Sequence, residues 1–200
     1  MSSGEWLVLA RTKYMLDKLE PTLYESGYYY NNKFKKQKEH TLHMAALDWE
    51  NARKGAPLSY DQVQRIYGYM SVDKNKLKSM TKDGMYDIGT LKKDYNLKTD
   101  AVWFEAFDAA PRREVNYLKQ MRRRGEKLNE APRITLSTIH GAKGGEAENV
   151  VLLTDLSFNT MRSYEKNPDD ENRLFYVGAT RTKEHLHVIR PQQDNKGYDL

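Results

Sequence analysis

The sequence predicts an α/β fold: a parallel sheet flanked by helices, assembled from the two ends of the chain and interrupted by a mostly helical insertion. Three observations predict it. Short runs rich in aliphatic and β-branched residues, EWLVLA (5–10), RITLST (133–138), NVVLLT (149–154) and HLHVI (185–189), are apolar along their length, as strands covered on both faces are. The last two are separated by a helical segment, DDENRLFYVGATRTKE, and strands alternating with helices favour a parallel sheet. Between 40 and 127 the apolar spacing is helical instead, and no strand of comparable quality occurs.

Taken in order, EWLVLA reads as a strand and RTKYMLDKLEPTLYESG as the helix that follows. Met15, Leu16, Leu19 and Leu23 recur at helical spacing, and Gly27 stops the pattern. Three tyrosines (28–30), two asparagines and KFKKQK (33–38) then change the composition, which marks a domain exit near residue 32. In the insertion, Leu42, Ala45, Ala46 and Trp49 share a helical face. Ser59 is placed to cap a helix carrying Val63, Ile66, Tyr67 and Met70. The segment 71–100 is polar and weakly patterned, and a last helix runs from Pro111 to Gly125. The expected organisation is a sheet domain from 1–32 and 132–190, an insertion over 33–131, and a frayed tail over 191–200.

Two hundred residues with 38% hydrophobic content can bury a useful core. The apolar runs fall far short of the ~18 residues that span a bilayer, and no apolar leader follows Met1. No membrane association and a cytoplasmic location are the expectation. The absence of cysteine excludes disulfides and thiolate metal sites, and the five histidines form no HExxH pattern, so no metal site is expected. The net charge of +5 is unevenly placed. KFKKQK carries four lysines, and RREVNYLKQMRRRGEK (112–127) has five arginines and two lysines against Glu114 and Glu126. Such runs are either solvated helix faces or polyanion contacts. The tyrosines beside the lysines leave a similar choice, between packing at a domain edge and base stacking.

Two segments carry chemistry. In STIHGAKGGEAENVVLL (137–153) a lysine lies among glycines, yet no Gly-Lys pair occurs anywhere in the chain. A Walker A loop needs GxxxxGK[ST], so Lys143 is not a P-loop lysine and self-sufficient nucleotide hydrolysis is not expected. Asp155, after VVLLT, reads as an ordinary strand-end residue. The segment instead delivers Thr138 and His140 into a turn, then Lys143, glycines that permit close backbone approach, and Glu146. Hydroxyl, imidazole and turn N–H groups donate to phosphate oxygens without reading base identity. In the second segment, Asp169, Asp170 and Glu171 supply the negative charge a helix start favours. Gly178, costing ~1 kcal/mol in a helix interior, implies close packing, and Arg181 lies one turn beyond it. Arg181 is either a solvent ion pair or a phosphate ligand supplied to another domain.

Together ITLSTIHGAKGGEAENVVLL and DENRLFYVGATRTKEHLHV resemble motifs V and VI of superfamily 1 helicases of the UvrD/Rep/PcrA type, in that order. EWLVLARTKYMLDKLEPTLYESG is similar to the strand and helix that open the second motor domain, and the three blocks cover 62 residues. The resemblance implies a RecA-like second motor domain (2A), P-loop-NTPase-like without a P-loop, with a short counterpart of the family's 2B insertion. It implies ATP with Mg²⁺ as cofactor, held mainly by a separate N-terminal motor domain that carries the P-loop. Arg181 would then reach the γ-phosphate across the cleft, Glu146 would bind the ribose side, and Lys143 would link nucleotide and DNA. Thr138 and His140 would hold phosphates of single-stranded DNA, with Arg11, Thr12 and Lys13 as the other strand-binding turn.

Some positions depart from the family. Gly145 stands where leucine is usual, Ala147 replaces a bulky residue, and Lys13 replaces asparagine. HGAKG resembles the UvrD branch more than the RecD branch, which implies 3′ to 5′ movement. The expected function is therefore the C-terminal portion of an ATP-dependent DNA helicase serving repair or replication on single strands or junctions, this portion being inactive alone. The alternative is a nucleic-acid-binding or interaction module derived from a helicase, without a motor. A helicase-nuclease is a third reading, which nothing in these residues requires.

Overall fold

The computed structural model describes residues 3–35, 41–127, 130–193 and 196–200. Lys36 and Lys38 of the first basic cluster lie outside them. In chain order the structure begins with β1 (Trp6–Ala10), α1 (Lys13–Glu25), β2 (Tyr30–Asn32), α2 (Thr41–Arg53), β3 (Leu58–Ser59) and α3 (Tyr60–Tyr67). It continues with β4 (Met85–Tyr86), α4 (Ile88–Asp94), α5 (Trp103–Ala106) and α6 (Arg112–Arg124). The chain then forms β5 (Ile134–Thr138), β6 (Ala147–Leu153), α7 (Phe158–Lys166), α8 (Asp169–Ala179) and β7 (Thr182–Ile189). Two compact units result, one from residues 1–37 with 120–200 and one from 38–119, and α6 runs from the second into the first. No helix among the described residues is long and apolar enough to cross a membrane.

The first unit is built on a five-stranded parallel sheet in the order β2-β5-β1-β6-β7. Strand β1 is central, paired with β5 on one edge and β6 on the other. Its side chains alternate between the two faces. Leu7 and Leu9 join Val150, Leu152 and Phe175 in a core completed by Met161, Tyr164 and Leu174 of α7 and α8. Val8 and Ala10 join Ile134 and Leu136 beneath Met15 and Leu16 of α1. Each buried aliphatic side chain contributes about 1.5–3 kcal/mol, so these two layers hold the sheet.

The sheet differs from the expectation in four places. The β2 strand lies in the tyrosine-asparagine stretch, where asparagine disfavours strands. Parallel pairing with Ile134–Leu136 overrides that preference, helped by Asn32 Nδ2 donating to Glu20 Oε1 at 3.0 Å. Tyr29 is buried beside it, and the Arg124 guanidinium sits 4.1 Å over the Tyr28 ring. Helix α8 ends at Ala179, and residues from Thr182 on already belong to β7. Helix α7 precedes α8, capped by Ser157 through Thr160 N at 3.1 Å. Finally, β7 is an edge strand whose Leu186, Val188 and Ile189 are exposed rather than covered. The end of the chain is docked rather than frayed: Tyr198 stacks on Phe175 with ring centroids 4.0 Å apart, and its N–H donates to Thr154 O at 2.8 Å.

The second unit is largely helical. Buried Trp49, Tyr67, Trp103 and Phe107 form its bulk, and Asp48 accepts from Gln62 Nε2 and Arg65 Nη1 at 2.8 Å each. Ser59 caps α3 through a reciprocal box with Gln62, and a two-stranded antiparallel ribbon joins β3 and β4.

Gly178 on α8 explains its own presence. A Cβ there would stand 3.1 Å from Leu152 Cδ1 and 3.3 Å from Ile139 Cγ2. Replacement by valine overfills this contact, and Gly178→Val is expected to lose about 1–3 kcal/mol of stability, read as a lower urea midpoint with unchanged slope.

Candidate functional site

Because β1 and β5 are parallel neighbours with Ala10 opposite Thr138, the residues that follow them emerge side by side at the C-terminal edge of the sheet. Ile139 N donates to Ala10 O at 3.0 Å and extends this pairing one residue past the strand. Arg11, Thr12 and Lys13 leave β1 there, and Thr138, Ile139 and His140 leave β5. Thr138 Oγ1 accepts from Gly141 N at 3.1 Å, closing the turn. A side chain on Gly141 would collide with Ser137 Oγ at 2.8 Å. Gly144, at φ +79°, takes the left-handed conformation that L side chains rarely adopt.

The two flanking turns hold their side chains differently. Arg11 forms a bidentate ion pair with Glu171 in the first turn of α8, Nε and Nη2 each 2.8 Å from a carboxylate oxygen. Glu171 is buried and Arg11 half-buried. The Thr12 hydroxyl is shielded and has no hydrogen-bond partner among the described residues. Lys13 places its ammonium 4.3 Å over the ring of Phe34. His140 and Lys143 are exposed. Together with Arg11, Glu171 and Arg173 they line an open cavity of about 570 Å³ beside α8.

Glu146 and Arg181 stand elsewhere. Ala147 opens β6 and pairs with Thr182, which opens β7, and Ala147 N donates to Arg181 O at 3.1 Å. Both residues therefore flank the N-terminal edge of the sheet, opposite Thr138 and His140. Arg181 Nε donates to Val177 O at 3.0 Å and Nη2 to Thr180 Oγ1 at 3.3 Å. A guanidinium has five N–H donors, so donors remain for an anion. Glu146 is an exposed carboxylate, and an anion on Arg181 would gain charge-assisted hydrogen bonds. Asp155 is held internally, its Oδ1 accepting from Gln192 N at 3.1 Å.

Sequence reasoning brought forward Arg11, His140 and Lys143, which line one cavity, and Thr12, Lys13 and Thr138 at the same edge. It treated Glu171 only as helix-start charge, because nothing local shows a partner in Arg11. It also passed over Phe34, although an aromatic residue inside KFKKQK was the available signal.

A five-stranded parallel sheet with helices on its faces is the architecture of a RecA-like core. The chain belongs to the UvrD-like helicase C-terminal domain family, whose model matches residues 11–193. That match includes both units and carries a helicase-related function and an interaction with nucleic acid. No curated protein matches the chain.

Breaking the Arg11–Glu171 pair leaves a charge without its partner in a largely buried position. Glu171→Ala is expected to destabilise by about 2–4 kcal/mol, discounted for the partial exposure of Arg11 from the 3–5 kcal/mol of a fully buried pair. A double-mutant cycle with Arg11→Met in urea unfolding should return a coupling energy well above that of a surface pair, and additive losses would show the two to be independent.

Proposed function

We propose that this chain is the C-terminal half of an ATP-driven DNA helicase, gripping single-stranded DNA at one edge of its sheet and completing the ATP site of a separate motor domain at the other. The observation that carries the reading is the path of residues 139–146. These residues leave the C-terminal edge at Thr138 and arrive at the N-terminal edge at Ala147, with Ile139 and Ala142 buried on the way. Thr138 and His140 supply donors to strand phosphates, with the Lys13 ammonium nearby. Glu146 and Arg181 face the nucleotide, and Lys143 lies on the segment between them. A movement at either edge is transmitted along one short, anchored segment, which is what coupling of grip to hydrolysis requires.

At the nucleotide, Arg181 acts electrostatically. Its guanidinium is aimed at charge that builds up on a transferring phosphoryl group, and an arginine supplied across a cleft in this way contributes ~10³–10⁵ in rate. ATP with Mg²⁺ supplies the phosphoryl transfer itself, on groups outside this chain. Arg11 braces the strand-binding turn through Glu171 rather than offering its guanidinium freely. The HGAKG turn favours 3′ to 5′ movement along DNA, and repair or replication is the setting that such a motor serves.

The test is Arg181→Ala in the complete protein, together with its P-loop domain. DNA-stimulated ATP hydrolysis is expected to fall by at least ~10³-fold while single-strand affinity stays within a few fold. Retained hydrolysis would sink the assignment of Arg181. Strand binding with no hydrolysis in the unmutated complete protein would favour the alternative of a binding module without a motor.

A further inference from the structure

Phe34 follows β2 at the same sheet edge as Thr138 and is 37% exposed. Singly exposed apolar residues are ordinary, but this ring is held in place from several sides. Its backbone N–H donates to Asn32 Oδ1 at 3.0 Å, and Asn32 Nδ2 donates to Glu20 Oε1 on α1 at 3.0 Å. The Lys13 ammonium lies 4.3 Å from the ring centroid. The ring tip rests against the Gly141 backbone, with Cζ 3.4 Å from where a Cβ on that glycine would stand. Gly141 is the residue whose N–H closes the Thr138 turn, and its carbonyl accepts from Lys33 Nζ at 3.5 Å. A preorganised, partly open aromatic surface therefore touches the turn proposed to hold phosphates.

The surrounding charges divide in a telling way. Lys35 is paired with both Asp17 and Glu20, hydrogen bonds that hold its ammonium protonated well above the usual lysine range. Its charge is thus satisfied within the protein. Lys33 and Lys13 have no carboxylate partner among the described residues. Of these two, Lys13 lies over the ring and Lys33 on the carbonyl of Gly141, which the ring touches, while the neutralised Lys35 fastens the turn to α1.

We propose that Phe34 is a base-stacking platform: a nucleobase of the single strand whose phosphates are held by Thr138 and His140 stacks on its open ring, with Lys33 and Lys13 flanking the backbone. The inference rests on the reading of this edge as a nucleic-acid surface and adds a subsite for the base. Every base has a π-face, so the contact is tolerant of sequence. It replaces Tyr28–Tyr30, which the fold uses for packing, as the aromatic contact of this region.

The experiment compares the binding of the chain, by fluorescence anisotropy, to an oligothymidylate of about 15 nucleotides and to an abasic oligonucleotide of the same length, long enough for one such groove. Phe34→Ala is expected to weaken oligothymidylate binding roughly 5- to 100-fold, the loss of one stacked base, and to leave abasic binding and its salt dependence unchanged. Phe34→Trp should retain affinity, with its indole emission quenched by oligothymidylate and not by the abasic strand. Unaltered oligothymidylate affinity in Phe34→Ala, or an equal loss on both strands, overturns the platform. Equal wild-type affinity for the two strands overturns stacking and leaves the phosphate-binding reading intact, whereas no wild-type binding to either overturns both.

Discussion

The central position of β1 constrains everything else in the sheet unit. Its backbone is hydrogen-bonded on one edge to β5 and on the other to β6, both of which come from the far end of the chain. The first strand of the sequence therefore cannot find its place until residues beyond the insertion arrive. That long-range closure costs loop entropy, which burial of Leu7, Val8 and Leu9 on both faces must offset. It also fixes where function can sit. Residues just after β1 and just after β5 are forced together at one edge, so Arg11 and Thr138 become neighbours although most of the sequence separates them.

The same arrangement makes the β5-to-β6 connection unusual. Parallel strands are ordinarily joined by crossovers of a dozen or more residues, most often containing a helix. Here residues 139–146 cross from one edge to the other with only a turn of 3₁₀ helix at His140–Ala142. So short a crossing has little slack, and it is tacked down by Ile139 and Ala142 in the core. Its glycines follow from this geometry rather than from phosphate wrapping: Gly141 avoids Ser137 and Thr138, and Gly144 supplies the left-handed bend. The lysine among glycines resembles a P-loop only in composition.

Legibility in the sequence followed the range of the interactions. The strands β1, β5 and β6 were readable because each is an apolar run, and the α3 cap and the Gly125 stop of α6 because capping is local. Gly178 announced close packing by its cost alone, though not that Leu152 and Ile139 do the packing. What stayed hidden depended on distant partners. β2 is a strand only because β5 lies beside it, and Tyr198 is ordered only because Phe175 offers a flat surface. The bond between Arg11 and Glu171 joins positions that share no local pattern. Among the candidate site residues, spacing revealed chemical type, while their division between two opposite edges emerged only from the topology.

That bond gives α8 a second role. An ion pair this shielded gains little net stability over apolar residues of similar volume. What two apolar residues would not supply is direction: a bidentate guanidinium–carboxylate contact fixes both distance and angle. It anchors the first turn of α8 to the turn that follows β1, and Glu171 there also complements the helix dipole. The helix then runs about 16 Å over its eleven residues to the opposite edge, where Arg181 is bonded back onto its last turn. A stiff helix and the short 139–146 segment thus connect the two edges side by side, touching where Gly178 meets Ile139.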